Sequence, residues 1–424
     1  RRQRQMCIRD SLVNSLLSPN TSKYIFCVGI CALMISLSFT LGDGNRNLLL
    51  IAVMGISPLL LILTPIITRT DIKIYAIIIL TILCPLLNHP ETMRWSTVLY
   101  SCMFCLYFIS LSHLFSFSNI SQSGILKLLK YILIAYAIVL FIQQICVLLG
   151  IPIINLSNYD IRQPWKLNSL MSEPEHSGRM VALLMYSYLS IKSANNGKEN
   201  FIESWKNDKL LWMAFFWCML TSMSAGAYLF LLIVLTRFMT IKSAFRIIIL
   251  IVSIFIIVNL FLEPIALKRF MKFGSAISTF DIHKIYSADQ SAALRVIPSF
   301  ICLQKIDLFT VDGWFGYGID YVSDFMSNYL AGVPKGYTGG GLLLYAVEYG
   351  FLPFIVLAII TFHLCYDKGN KIPTILFWIF SILFTGVNSQ LAWSTITLLY
   401  IVKISQQIKT DNEYTDTSIS AFSK

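Results

Sequence analysis

A polar stretch between two apolar runs carries residue types that are suited to acid–base chemistry. Glu173 and His176 lie three residues apart in the sequence SEPEHSG, at a predicted membrane boundary. A carboxylate and an imidazole at this spacing can act as a general base and its partner. The same stretch also fits a helix start, with Ser172 as the N-cap and Pro174 in the first turn. The catalytic and the structural interpretation both stand at this point.

Positively charged side chains surround this stretch and recur in a second polar region. Arg162, Lys166 and Arg179 flank the Glu-x-x-His pair, and Arg295 lies further along the chain. A guanidinium group offers a planar fork of donors that matches phosphate oxygens. These residues predict a site for a phosphate-bearing ligand, although an arginine at a helix end can instead extend to a lipid headgroup.

Two further features could contact a ligand. Glu348 lies within a long apolar run, and ionisable groups inside a membrane segment are functional candidates by default. A hydrogen bond between packed helices explains such a residue equally well. Tyr317, between Gly316 and Gly318 in the sequence GWFGYG, could stack on a sugar ring, but an interfacial aromatic belt predicts the same residue types.

The composition places all of these residues in an integral membrane protein. The 424-residue chain is 56% hydrophobic and 13% charged, with a mean hydropathy of +0.69. Soluble domains carry about 25% charged residues, so a soluble enzyme, a coiled coil and a disordered scaffold are excluded. The net charge of +11 fits the accumulation of Lys and Arg in cytoplasmic loops and does not indicate nucleic acid binding. The predicted fold class is therefore an all-α protein embedded in a lipid bilayer.

Twelve apolar stretches are predicted to cross the membrane, because a transmembrane helix needs roughly 20 apolar residues. Lys and Arg concentrate in alternate loops when both chain ends are placed in the cytoplasm, which supports the number of spans and their orientation. The predicted spans are Tyr24–Leu41, Leu48–Ile67, Ile74–Leu87, Ser96–Phe115, Tyr131–Ile151, Arg179–Ile191, Leu210–Ser222, Ala227–Ile241, Ile247–Leu262, Gly341–Cys365, Ile375–Phe384 and Leu391–Val402.

The spans divide the chain into segments of different character. Residues 1–11 differ in character from the rest of the chain and are interpreted as a non-native artefact. Loops longer than about 12–15 residues are uncommon unless they are functional or disordered, so the two long outside loops are the expected functional regions. The predicted organisation is 12–151 for spans one to five, 152–178 for an outside loop, 179–262 for spans six to nine, 263–340 for a larger outside loop, 341–405 for spans ten to twelve, and 406–424 for a cytoplasmic tail.

The larger outside loop carries its own local signals. Ser291–Ile306 predicts an amphipathic helix that is suited to lying on the outer leaflet. Gly313–Gly318 predicts a compact turn, because its glycines permit positive φ or a close approach of backbones.

Four motifs in this order resemble the bacterial O-antigen polymerase (Wzy-type) and O-antigen ligase superfamily. They are SEPEHSG, TSMSAGAYL, LRVIPSFICL with WFGYGI, and GGLLLYAVEYGFL, and together they span most of residues 150–360. The resemblance implies a GT-C-like, cofactor-independent glycosyltransferase in the bacterial cytoplasmic membrane. Its substrates would be undecaprenyl-diphosphate-linked glycans on the outer face, and its partners a chain-length regulator and a flippase.

The same resemblance implies roles for individual residues. Arg162 and Arg295 correspond to the loop arginines that engage diphosphate or glycan, and Glu173 corresponds to the Glu of the family's Glu-Pro motif. Gly316 and Gly318 correspond to its Gly-x-Gly turn. Glu173, assisted by His176, is expected to take the proton of the acceptor hydroxyl, and no metal is expected because the arginines would neutralise the leaving diphosphate.

Two departures from the family pattern bear on the activity. Ser224-Ala225-Gly226 stands where the family often has Ser-Arg-Gly, so one expected cation is absent. Ligases commonly carry a His before the tenth span, and Pro334–Gly341 has none, which favours a polymerase. O-antigen ligase activity remains the closer alternative and a twelve-span secondary transporter the more distant one. Against a transporter stand the lack of half-to-half similarity and the concentration of polar residues outside the membrane.

Overall fold

The computed structural model describes residues 19–36, 47–64, 66–117, 120–155, 163–197, 199–222, 224–239, 272–279, 281–288, 290–329 and 339–422. Every regular element in these ranges is helical. These elements include a 3₁₀ turn at Pro90–Thr92 and a π-helical turn at Ile379–Leu383. The helices are α1 Pro19–Met34, α2 Leu48–Leu63, α3 Arg69–Asn88, α4 Trp95–Phe117, α5 Gln122–Leu149, α6 Pro174–Asn196, α7 Phe201–Asn207, α8 Lys209–Thr221, α9 Ala225–Thr236, α10 Ile282–Ala288, α11 Gln290–Lys305, α12 Val311–Phe315, α13 Tyr321–Tyr329, α14 Leu342–Glu348, α15 Phe351–Cys365, α16 Lys371–Trp378 and α17 Gln390–Phe422.

Three of these helices are long and apolar enough to cross a membrane: Arg69–Asn88, Trp95–Ser116 and Gln122–Leu149. Most of the apolar stretch of α4 is buried by other helices, whereas α3 and α5 expose most of theirs. Apolar side chains on an exposed helix face are stable in lipid and costly in water. The all-helical character of the described residues, together with these three helices, fits a protein embedded in a membrane.

Local sequence signals explain where the long helices begin and end. Thr68 and Asp71 form a reciprocal capping box at the start of α3, which satisfies amide groups that have no partner inside the helix. Ser121 caps α5 by accepting from the amide of Gly124, and Gly150 ends it in the left-handed conformation. The predicted break between spans seven and eight is confirmed, since α8 ends at Thr221 and α9 begins three residues after a turn at Ser222.

The core forms around α6 and α4. Helix α6 packs against α5, α8, α9 and α17, and α4 packs against α1, α2, α3 and α17. The stretch Met180–Tyr186 of α6 is buried on all sides. A helix stretch that is buried on all sides belongs in the centre of a large bundle. Packing on every side holds α6 in place, and with it the residues at its N-terminus.

The prediction of one continuous span over Gly341–Cys365 is wrong. Helix α14 ends at Glu348, and α15 begins at Phe351 after Gly350, whose φ is +104°. The backbone of Trp314 and Phe315 lies directly against Gly350 and leaves no room for a Cβ there. Only glycine combines this conformation with so close an approach, so the break results from the end of α12 packing onto the apolar run. The compact turn predicted at Gly313–Gly318 is helical up to Phe315, and the chain leaves the helix only at Gly316.

The first predicted span also differs from the structure, because α1 ends at Met34 and residues 35–36 after it are not helical. Residues 37–41 of this span lie outside the described residues. Its last carbonyl groups accept hydrogen bonds from side-chain amides: Gln390 Nε2 lies 2.8 Å from the carbonyl oxygen of Leu33, and Asn47 Nδ2 lies 2.9 Å from that of Ile35. These bonds replace those that a longer helix would supply. The predicted span Ile247–Leu262 lies outside the described residues.

Hydrogen bonds sort the described loops into two groups at opposite ends of the bundle. At one end Ser36 donates to the carbonyl of Leu170, and Arg94 pairs with Asp320. At the other end Lys192 pairs with Asp208, Gln122 donates to the carbonyl of Ser405, and Gln406 donates to Asp367. Successive loops alternate between the ends, as a chain that crosses the bundle back and forth requires.

Candidate functional site

A cavity of about 520 Å³ lies at the end of the bundle that holds Leu170 and Arg94. It is called the Glu173 cavity here. Its size falls within the range of about 300–1,000 Å³ that is usual for small-molecule sites. The residues that line it are Glu173, Glu175, His176, Arg179, Gly226, Leu229, Leu294, Val296, Gly339, Gly340, Gly341, Phe380, Phe384 and Thr385.

The start of α6 presents the two predicted catalytic side chains to this cavity. Glu173, and not Ser172 as predicted, is the N-cap residue, and its carboxylate makes no capping bond. Ser172 Oγ lies 3.2 Å from His176 Nδ1, and His176 Nε2 lies 3.9 Å from Glu173 Oε2. The side chains of Glu173 and His176 are 45% and 31% exposed. A carboxylate that does not cap its helix and faces a cavity can accept a proton from a hydroxyl group held there.

Arg179 lines the same cavity one turn further along α6, but it has protein partners. Its guanidinium group pairs with Glu175, donates to Thr385 Oγ1 at 2.7 Å and donates to the carbonyl of Phe380 at 3.1 Å. It also lies over the ring of Phe230, 5.4 Å from the centroid. Arg179 therefore ties α6 to the end of the π-helical turn and holds one wall of the cavity in place.

Glu175 is a functional candidate that sequence reasoning missed. The signal was present, because Glu175 and Arg179 stand four residues apart, which is the spacing of a helical ion pair. Sequence reasoning assigned the chemistry to the neighbouring Glu-Pro motif and His176 instead. The Glu175 carboxylate compensates the charge of Arg179, so this pair adds no net positive charge to the cavity.

Two glycines allow α6 and α9 to cross closely enough to form the cavity floor. A Cβ at Gly226 would stand 2.5 Å from the Cγ of Glu175, and a Cβ at Gly178 would overlap the side chain of Ala227. Gly226 belongs to the Ser-x-Gly-Ala turn that carries the family resemblance. In this structure its role is a steric one: it makes room for Glu175.

The second long loop reaches the Glu173 cavity at two places. Leu294 and Val296 of α11 line it, as do Gly339–Gly341 at the end of the loop. Helix α11 confirms the helix that was predicted at Ser291–Ile306; its position on a membrane stays a prediction. Both long loops thus contribute residues to one cavity.

The predicted cationic residues differ in their position relative to the cavity and in how far the structure describes them. The backbone of Arg295 lies in α11 between two residues that line the cavity, and its side chain is outside the described residues. Arg162 also lies outside the described residues. Lys166 is exposed and does not line the cavity. Since Glu175 already neutralises Arg179, the described arginine of this cavity offers no uncompensated positive charge to a ligand.

Gly316, Tyr317 and Gly318 do not line the Glu173 cavity. Gly316, at φ +96°, lies against the backbone of Glu348, and Gly318, at φ +105°, lies against the side chain of Thr92. Their conformations explain the glycines of this turn by close approach. Tyr317 stacks on Tyr321, and Lys305 Nζ lies 5.3 Å from the centroid of the Tyr317 ring.

Glu348 lies at the end of α14 and lines a neighbouring cavity. Its side chain is buried, and Oε1 accepts a hydrogen bond of 3.2 Å from the amide of Val322 in the first turn of α13. The interpretation of this residue as a hydrogen-bonded packing group therefore has direct support.

Across the described ranges there is no cluster of three or more His, Cys, Asp or Glu side chains that could hold a metal ion.

No protein-family model matches this chain, and no curated protein matches it at a significant level.

Proposed function

We propose that this protein is a polysaccharide repeat-unit polymerase that joins undecaprenyl-diphosphate-linked oligosaccharides. The observation that carries the proposal is the meeting of both long loops at one cavity. The Glu-x-x-His start of α6 and the neighbours of Arg295 on α11 line it together. A transferase acting on a lipid-linked diphosphate sugar needs a base for the acceptor and cations for the leaving group at the same place.

The proposed reaction uses Glu173 and His176 of this cavity together with the predicted cations Arg295 and Arg162. The acceptor hydroxyl oxygen forms a bond to the anomeric carbon of the donor sugar, while the bond from that carbon to the diphosphate oxygen breaks. The Glu173 carboxylate takes the hydroxyl proton, with His176 beside it at 3.9 Å. Undecaprenyl diphosphate leaves with the bonding electron pair, and Arg295 and Arg162 neutralise its charge. General base catalysis of this kind is typically worth about 10²- to 10⁴-fold.

The proposal includes a membrane topology. The chain would cross the bacterial cytoplasmic membrane twelve times with both termini in the cytoplasm, which sets the Glu173 cavity at the outer face. The alternation of loop contacts between the two ends of the bundle supports this arrangement, as does the accumulation of Lys and Arg in alternate loops. A chain-length regulator and a flippase would act with it.

Complementation of a polymerase-deficient strain of matched glycan type tests the activity. The proposal predicts a ladder of repeat units on a gel. Transfer of a single preformed block to lipid A core would instead identify a ligase, and uptake of a solute without either product would identify a transporter.

Arg295→Ala tests the assignment of the diphosphate site. We expect polymer to be lost while the protein elutes from gel filtration as the wild type does. Arg69→Ala is the matched control, because Arg69 is an exposed arginine at the opposite end of the bundle, and it should leave the ladder unchanged. Normal chain length in the Arg295→Ala variant would contradict the assignment.

A further inference from the structure

A second cavity, of about 610 Å³, lies next to the Glu173 cavity. It is called the Asn388 cavity here. It is lined by residues from the start of α4, from α14 with its buried Glu348, and from 385–388. Arg94, just before α4, and Asp320, just before α13, also line it. Nothing in the proposed reaction uses it. Its volume would hold an oligosaccharide fragment as readily as the Glu173 cavity would.

The two cavities share a wall of backbone. Gly341 and Thr385 line both of them. A Cβ at Gly386 would stand 3.0 Å from the carbonyl oxygen of Gly341, so the two glycine backbones are in close contact. Ligands in the two cavities would therefore lie close together, on either side of these two glycine backbones, and this would bring two substrates into proximity.

The described lining of the Asn388 cavity holds more carboxyl groups than cations. Arg94 Nη1 lies 2.9 Å from Asp320 Oδ2, so the cation already has an anionic partner. Glu348 adds a further carboxyl group. The described lining thus has no excess positive charge, which disfavours an anionic diphosphate there. The described lining of the Glu173 cavity is no more positive, with Glu173, Glu175 and Arg179, but the backbone of Arg295 lies next to that cavity on α11. A ligand rich in uncharged hydroxyl groups would meet both donors and acceptors in the Asn388 cavity.

The side chain of Asn388 supplies a hydrogen-bond donor to the Asn388 cavity. Its side-chain oxygen accepts from Ser101 Oγ, and within the described part of the chain its amide nitrogen has no protein acceptor. Ser96, Thr97 and the ring of Tyr100 line the cavity beside it. An amide, hydroxyl groups and an aromatic face are groups that a sugar ring can engage through its hydroxyl and C–H groups.

We propose that the Asn388 cavity is a carbohydrate subsite that binds an uncharged stretch of a lipid-linked glycan. The inference rests on the proposed function, because it places the glycan of one of the two polymerase substrates in the Asn388 cavity. The Glu173 cavity would then receive the reacting hydroxyl group and the diphosphate end.

Saturation-transfer NMR on the purified full-length protein in detergent micelles tests this subsite. The probe is the neutral oligosaccharide released by mild acid hydrolysis of the source organism's surface polysaccharide, and sodium pyrophosphate is the anionic comparison. We expect transfer to the oligosaccharide, with no displacement by pyrophosphate. Absence of transfer, or displacement by pyrophosphate, would overturn the assignment.

Two variants locate the binding. Asn388→Asp keeps an oxygen to accept from Ser101 but removes the amide donor. It should weaken oligosaccharide binding about tenfold, the loss expected for one good hydrogen bond to a ligand. Asn207→Ala, at the opposite end of the bundle, is the control and should leave binding unchanged.

Glu173→Gln separates this inference from the proposed function. Oligosaccharide binding that survives in Glu173→Gln and is lost in Asn388→Asp supports the subsite, whatever the polymer assay shows. Loss of polymer in Glu173→Gln together with undiminished binding in Asn388→Asp would overturn the subsite while leaving the proposed function standing.

Discussion

The carboxylate side chain of Glu175 lies against the α-carbon of Gly226, where α6 crosses α9 beneath the Glu173 cavity. A Cβ at position 226 would stand 2.5 Å from Cγ and 2.8 Å from Cδ of Glu175. The crossing therefore requires glycine at position 226, because any side chain there would overlap that of Glu175. The same carboxylate pairs with Arg179, so this contact also sets the position of the arginine in the cavity wall.

Gly226→Ala should push α9 away from α6. We expect the free energy of unfolding to fall by about 1–3 kcal/mol, the usual cost of overpacking, and thermal unfolding in detergent micelles measures it. Gly55→Ala is the matched control, because a Cβ there meets only Met103 Cε at 3.8 Å. That variant should keep its Tm or gain slightly. Equal Tm values for the two variants would contradict the close crossing.

The pair Glu175–Arg179 should stabilise the protein through mutual interaction. The two side chains are 12% and 18% exposed, so solvent screens them little. A double-mutant cycle with Glu175→Gln and Arg179→Gln should give a coupling free energy of about 1–3 kcal/mol from thermal unfolding. The exposed pair Asp281–Lys284, at 3.8 Å, is the control; its coupling should stay below about 0.5 kcal/mol. Similar coupling in both pairs would show that Arg179 does not depend on Glu175.

Glu348→Gln should leave both stability and polymer formation close to wild type. The amide oxygen of glutamine can still accept from the backbone amide of Val322. Glu348→Ala leaves that donor without its partner and should lower the free energy of unfolding by about 1–3 kcal/mol. A large loss of activity in a stably folded Glu348→Gln protein would show instead that the carboxylate itself acts on substrate.

The contact between the end of α3 and α12 should weaken as pH rises. A hydrogen bond to Glu91 raises the pKa of His89 above its ordinary value of 6.5; partial burial opposes this shift, and Asp312 adds to it. Because the folded pKa is the higher one, the stabilisation is fully present below pH 6.5 and is lost as pH rises through the folded pKa. The Tm difference between wild type and His89→Gln should therefore be larger at pH 5.5 than at pH 8.5. A difference that grows with pH would contradict this assignment.

Sequence patterns predicted the features that depend on local chemistry. The break after Thr221 followed from small and polar residues, and the helix at Ser291–Ile306 followed from its apolar periodicity. The start of α6 at Pro174 followed from proline's preference for the first helical turn. Each of these signals lies within a few residues of the feature it predicts.

Features that depend on distant contacts could not be predicted in this way. The run Gly341–Cys365 is uniformly apolar, and its break at Gly350 exists because the backbone of Trp314 and Phe315 packs there. The contact of Glu175 with Gly226 joins two different helices, and no local sequence pattern reports it. The Asn388 cavity joins Arg94 to Asp320 across 226 positions of sequence, a separation that periodicity and spacing do not report.

Glu173→Gln in the complementation assay tests the central claim most directly. The variant keeps the size of the side chain but removes the carboxylate that is proposed to accept the proton. We predict loss of the repeat-unit ladder with normal protein levels, and an in vitro rate that falls by about 10²- to 10⁴-fold. Glu203→Gln makes the same chemical change in an exposed capping box at the opposite end of the bundle, and it should leave the ladder intact. A full ladder from Glu173→Gln would contradict the assignment of this cavity to glycan joining.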